Sequence, residues 1–120
     1  MTRSVIAVVD DLFFASKIRG MAAEVGVSAS FARGVEAVIE AARLDRPSLI
    51  ICDLHSSKVN AMELARRLKA DEELRSISLL GFFSHVQTEL QREAEEAGFD
   101  VVMPRSAFSN RLALILQGSA

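Results

Sequence analysis

Four short, unbroken runs of apolar residues, each separated from the next by helical patterning, set the strongest limit on what this chain can fold into. "SVIAVV" (4–9), "SLIIC" (48–52), "ISLLGFF" (77–83) and "FDVVM" (99–103) are rich in branched side chains. Strands buried on both faces read this way. A fifth run, "VSASFA" (27–32), alternates small and apolar residues more weakly and suits a sheet edge. Between the runs, Phe14, Ile18, Met21, Ala22 and Val25 fall at helical spacing until Gly26, and Val35, Val38, Ile39 and Ala42 do so until Pro47. Ala61, Leu64, Ala65 and Leu68 form a third stripe, and Val86, Leu90, Ala94 and Ala97 a fourth that ends at Gly98. Phe108, Leu112, Ile115 and Leu116 form the last. Strands separated by helices cannot be hairpins, so the sheet is expected to be parallel, with right-handed crossovers and helices on both faces. The predicted fold is α/β: a flavodoxin-like (βα)5 doubly wound sandwich with strand order 2-1-3-4-5, forming a single domain over residues 1–120.

Composition narrows the function. Half of the 120 residues are apolar and a quarter are charged, which is ordinary for a globular domain. A net charge of −2 gives no electrostatic case for nucleic acid or an anionic membrane as partner. The densest basic group, Arg66, Arg67 and Lys69, is accounted for by a helix surface. The one cysteine, Cys52, excludes a disulfide within the chain and points to a reducing, cytoplasmic setting. No run approaches the roughly 18 to 20 apolar residues of a membrane span, and no repeat or flexible linker divides the chain.

The acids carry the chemistry. Asp10 and Asp11 follow the first apolar run directly, and Asp53 ends the third. In the predicted strand order, strands 1 and 3 are neighbours, and ligands bind at their carboxyl ends. Three carboxylates at one sheet edge repel each other unless a cation offsets them. A hard dication such as Mg²⁺ takes oxygen ligands and usually one or two carboxylates, so the trio favours a metal. Each acid alone has a plainer role, and Asp11 in particular is placed to cap a helix starting near Leu12. A flavin or nucleotide site needs a glycine-rich loop after strand 1, whereas this loop is acidic and glycine-free. A phosphatase resembling the haloacid dehalogenases needs a second acid two residues after its nucleophile; Leu54 and His55 follow Asp53 instead. No nucleophile–base pair with interpretable spacing stands out.

"VVDD" closing strand 1, "LIICDL" around Asp53, "NAMELARRLK" as the third helix and "EAGFDVVMPRS" around strand 5 together resemble a response-regulator receiver domain of the CheY-like superfamily, over essentially the whole chain. The resemblance implies a stand-alone two-component signalling module. It implies Mg²⁺ held by Asp10, Asp11, Asp53 and the backbone carbonyl of His55, with Asp11 a direct ligand. Asp53 is then the phosphoacceptor, charged by a sensor histidine kinase or a phosphotransfer protein, and the output is a conformational change read by a downstream protein partner. Such a module is not an enzyme beyond self-catalysed phosphorylation and dephosphorylation of Asp53.

The loop after Asp53, "HSSKVNA", lacks the family's usual Met-Pro and a Gly before the third helix, and three switch positions also depart from the family pattern. Phe83 stands where the family has a Thr or Ser at the end of strand 4, and Ser84 follows one residue later, on the other face of a regular strand. Arg105 stands at the switch lysine position, keeping the charge but not the shape. Val102 stands at the aromatic switch position of strand 5. These departures support an alternative of a different class, a phosphorylation-independent pseudo-receiver acting as a protein-interaction module. His55 and His85 lie near the predicted site edge and read as solvated loop residues. Phe13 is either a core-rim aromatic or a partner contact. Glu89, Glu93, Glu95 and Glu96 read as a solvated helix face, with Arg92 forming surface pairs.

Overall fold

The computed structural model describes residues 3–56, 59–84 and 88–118. Five strands, β1 (Ser4–Val8), β2 (Ser28–Phe31), β3 (Leu49–Asp53), β4 (Ser78–Phe83) and β5 (Val101–Pro104), form one parallel sheet of order β2-β1-β3-β4-β5. Among the described residues six helices connect and follow them: α1 (Leu12–Val25), α2 (Val35–Asp45), α3 (Ala61–Ala70), α4 (Thr88–Ala97), α5 (Arg105–Asn110) and α6 (Leu112–Gln117). The expected strand order is the observed one. Strand ends differ from the sequence reading by one or two residues, and β3 includes Asp53 itself.

The period of two explains why the central strands look continuously apolar. Val5, Ala7, Leu49, Ile51, Leu80, Phe82 and Met103 face one layer, packed with α1, α5 and α6 through Phe14, Ile18, Phe108 and Leu112. Ile6, Val8, Ile50, Cys52, Leu79 and Phe83 face the other, packed with α2, α3 and α4 through Val38, Ile39, Leu64, Leu68 and Ala94. Both faces need apolar side chains, so no polar alternation is left. In β2, at the edge, Ser28 and Ser30 are exposed while Ala29 and Phe31 are half-buried.

The helix stops are those the sequence marks. Gly26 ends α1 in the left-handed region (φ 74°), and Arg46 ends α2 in the same region (φ 48°) just before Pro47. Gly98 follows α4 at φ 125°, where a Cβ would stand 2.6 Å from Lys69 Cγ. Val86, part of the fourth stripe, lies outside the described residues. The last stripe differs from expectation: it is two short helices broken at Arg111 (φ −106°, ψ 11°). Arg111 N–H still bonds Ala107 and Ile115 N–H still bonds the Arg111 carbonyl. The four-residue ladder therefore crosses the break, Phe108, Leu112, Ile115 and Leu116 stay buried together, and the periodicity gives no sign of the bend.

Two of the three residues in the basic cluster of α3 tie that helix to its neighbours. Arg67 pairs with Glu36 of α2. Lys69 Nζ donates to the carbonyls of Arg75 and Ile77 and to Asp100. Asp100 also accepts the Leu79 N–H at 2.8 Å, fastening the starts of β4 and β5 to the end of α3. Arg92 pairs with Glu89 on the exposed face of α4. No helix among the described residues is long and apolar enough to cross a membrane.

Gly81, in the middle of β4, admits the buried side chain of Leu54. A Cβ there would lie 2.8 Å from Leu54 Cδ2 and 3.2 Å from Phe99 Cδ1. Leu54 is the residue after Asp53, so this close approach also seats the site loop against the sheet. Gly81→Ala is expected to lower the unfolding free energy by about 1–3 kcal/mol through overpacking. Urea denaturation of the variant beside the wild type measures it.

Candidate functional site

Polar residues begin where β1 leaves the two layers. Val9 is still buried, Asp10 is half-buried and Asp11 is exposed. Asp11 has the extended backbone of an N-cap, and its Oδ1 accepts from the N–H groups of Phe13 (2.9 Å) and Phe14 (3.2 Å). This satisfies two donors that a helix start otherwise leaves unpaired. The other oxygen, Oδ2, receives Arg105 Nη2 at 2.9 Å. Both carboxylate oxygens of Asp11 are thus engaged. The Arg105 hydrogen bond, then that of Phe14 N–H, holds the Asp11 carboxyl below its ordinary 3.8, against a smaller opposing effect of desolvation.

Arg105 opens α5 directly after Pro104. Its guanidinium lies 4.1 Å from the centroid of the Phe14 ring. Phe14 in turn meets Phe82 of β4 at 5.2 Å and Phe108 of α5 at 5.6 Å, and those two rings stack at 4.9 Å. The ion pair therefore sits on the end of an aromatic column that runs into the core.

Asp53 ends β3. Its Oδ1 accepts the His55 N–H at 2.9 Å, and its carbonyl accepts the Ser56 N–H at 3.1 Å, which closes a turn just past the strand. Ser56 Oγ donates to Asp10 Oδ1 at 3.0 Å and accepts the Val59 N–H at 3.2 Å, so the loops after β1 and β3 are tied across the sheet edge. Behind them, burial pushes the Cys52 thiol up to about 12, with the negative charges of Asp53 and then Asp10 adding to it. Both carboxylates therefore act on the same buried sulfur.

The structure brings Asp10, Asp11, Asp53 and Arg105 to one sheet edge but divides the acids. Asp10 and Asp53 are linked through the loop of Ser56, while Asp11 is turned to Arg105. Among the described residues no group of three or more acids, histidines or cysteines is arranged to hold a metal ion. The donor chemistry, carboxylate oxygens and a loop backbone, suits a hard dication such as Mg²⁺, provided that Asp11 Oδ2 is released by Arg105.

Phe83 is buried in the layer of α3 and α4, Ser84 is exposed just past β4, and Val102 is half-buried against that same layer. His55 is exposed, and His85 lies outside the described residues. Phe13 is 91% exposed and its neighbour Leu12 is 73% exposed, so Phe13 does not pack at the core rim. Two contacts have no counterpart in the sequence reading: Ser56 on Asp10 and Arg105 on Phe14. The only signal for the first is a serine close behind a strand-end aspartate; the second has none.

Asp11 does two separable things. Asp11→Asn keeps the capping acceptor and loses the ion pair, whereas Asp11→Ala loses both, so the expected order of stability is wild type, Asn, Ala. Because the folded-state carboxyl is depressed, its ionic contribution is present above the unfolded value of 3.8 and is lost as pH falls through the folded one. The stability gap between wild type and Asp11→Asn is therefore expected at neutral pH and closes in acid below that value. Thermal melts of both proteins across this range measure the gap.

No protein-family model matches the chain, and no curated protein sequence does. Solved structures do match it across its length. The chemotaxis response regulator CheY4 of Vibrio cholerae is similar at a TM-score of 0.84 with 16% identity, covering 100% of both chains. The phosphorylated cyanobacterial phytochrome response regulator RcpA gives 0.81 with 19% identity, over 98% of this chain and 91% of that one. A response regulator from Thermotoga maritima gives 0.80 with 15% identity, over 99% and 98%. The chain has the CheY-like, flavodoxin-like fold of response-regulator receiver domains.

Proposed function

We propose that this protein is a two-component receiver module that accepts a phosphoryl group at Asp53 in a Mg²⁺-dependent step and carries an altered switch. The observation that supports it most is the position of Asp53. Its carboxylate ends a central strand of a receiver fold, is oriented by the His55 N–H, and shares its edge with Asp10 and Asp11. In the proposed reaction an Asp53 oxygen attacks phosphorus, the bond from phosphorus to a partner's histidine nitrogen breaks, and an acyl phosphate forms. Asp10, Asp11, Asp53 and the His55 carbonyl would hold Mg²⁺, which supplies the positive charge that lets carboxylate and phosphoryl oxygens approach. Ser56 holds the Asp10 carboxylate in place, and Arg105 brings a cation to the same edge.

The readout differs from the family pattern. Phe83 has no hydroxyl for a phosphoryl oxygen, Val102 has no ring to rotate, and Arg105 is engaged with Asp11 and Phe14. A sensor histidine kinase or a phosphotransfer protein is the proposed donor and a downstream protein the receiver of the signal. Exposed Leu12 and Phe13, directly beside the acids, are the proposed contact for such partners. The Asp11–Arg105 pair favours one second reading, a pseudo-receiver that binds partners with no phosphorylation, because it offsets the charge of Asp11 without a metal.

Incubation with acetyl phosphate and Mg²⁺, followed by intact-mass measurement, separates the two readings. Gain of one phosphoryl group by the wild type, absent in Asp53→Asn and absent with a chelator, is the expected result. No gain, together with unchanged amide spectra on adding Mg²⁺ and beryllofluoride, supports the pseudo-receiver. Phe13→Ala is expected to stay within about 0.5 kcal/mol of wild-type stability, as an exposed side chain should. Its effect on binding to a cognate kinase then reports partner contact alone, and full retention of binding removes Phe13 from that surface.

A further inference from the structure

We propose that Arg105 is the resting cation of this site, a tethered guanidinium that occupies the place beside Asp11 a divalent ion needs, so that metal binding competes with Arg105. This rests on the metal reading given above.

Several independent features fix Arg105 there. Its Nη2 bonds Asp11 Oδ2 at 2.9 Å, and its charged carbon sits 4.1 Å from the centroid of the Phe14 ring. A planar guanidinium can stack on a ring and bond a carboxylate in its own plane at the same time, which an ammonium cannot. Both oxygens of Asp11 already accept hydrogen bonds, Oδ1 from the start of α1 and Oδ2 from Arg105. A dication at Oδ2 would lie against the guanidinium, and the repulsion of like charges sets the two in competition.

Detachment has a consequence inside the domain. Phe14 loses the cation from its face, and Phe14 contacts Phe82 and Phe108 in the layer between the sheet and α5. Metal occupancy is then felt at β4 and α5 through Arg105 and Phe14, although Val102 provides no aromatic switch.

The test is a Mg²⁺ titration of the full chain followed by amide, arginine Nε–Hε and Phe ring resonances. Arg105→Gln is expected to bind Mg²⁺ about tenfold more tightly than wild type, the size expected when one exposed ion pair and one cation–π contact no longer have to be broken. Arg105→Lys keeps the charge without the stack and is expected to fall between them. Phe14→Leu keeps both charges and is expected to tighten binding a few-fold. In the wild type, Arg105 and Phe14 resonances should move along the same curve as Asp11. Equal affinity in wild type and Arg105→Gln, or Arg105→Lys identical to wild type, overturns the competition and leaves the metal reading standing. Saturable binding by none of the four proteins overturns both.

Discussion

A sheet buried on both faces gives polar side chains no place except its ends. β1, β3 and β4 send alternate residues into two apolar layers, and an Asp within any of them would meet hydrocarbon on either side. The first tolerated position is where the strand emerges, and there the chain places Asp10, Asp11 and Asp53. A parallel sheet brings all carboxyl ends to the same edge, so acids 42 residues apart in sequence, Asp11 and Asp53, share one rim. The apolar layers decide where the chemistry can be. Gly81 adds the fine placement, because its missing Cβ leaves room for Leu54 and so sets how the turn after Asp53 leaves the sheet.

Crowding carboxylates on one rim requires compensation, and the molecule supplies it locally. Asp53 and Asp11 accept backbone N–H groups, Asp10 accepts a hydroxyl, and Asp11 also takes a guanidinium. Hydrogen bonds to the charged form stabilise ionised carboxylates as a nearby cation does. The difference between the acids is mobility of the counter-charge. A backbone N–H is fixed by the turn that carries it, whereas Arg105 sits at the end of a long side chain that is one-third exposed. Of these contacts, the Arg105 pair is therefore the one that can be exchanged without unfolding a turn or a helix end.

The fold is legible in the sequence because its signals are local and repeated. Branched apolar runs, helical stripes and the stops at Gly26, Pro47 and Gly98 each say the same thing, and strand order follows from connection rules. The broken last helix is not legible, since the hydrogen bonds of Arg111 continue the ladder and the apolar stripe passes through unchanged. The acids are legible as a group through their strand ends. Their partners are not: Ser56 and Asp10 are 46 residues apart, and Arg105 and Asp11 are 94 apart. Nothing in the residues around Phe14, which reads as an ordinary member of a core stripe, shows that one face of its ring carries a cation.

That double use of Phe14 ties the rim to the core. Its ring is buried, contacts two other buried rings, and still offers a face to Arg105. A lysine at position 105 could reach a carboxylate but would sit on the ring as a point charge, with its hydrogen bonds free to turn in any direction. The guanidinium instead reaches both at once, with Nη2 on the Asp11 carboxylate and its central carbon over the Phe14 ring. Asp11, Arg105, Phe14 and Phe82 thereby form an unbroken series of contacts, which ends on the strand whose next residue is Phe83. A site that lacks a hydroxyl at position 83 and a ring at position 102 still has a contiguous path from its acids to β4 and α5, and that path consists of two side chains.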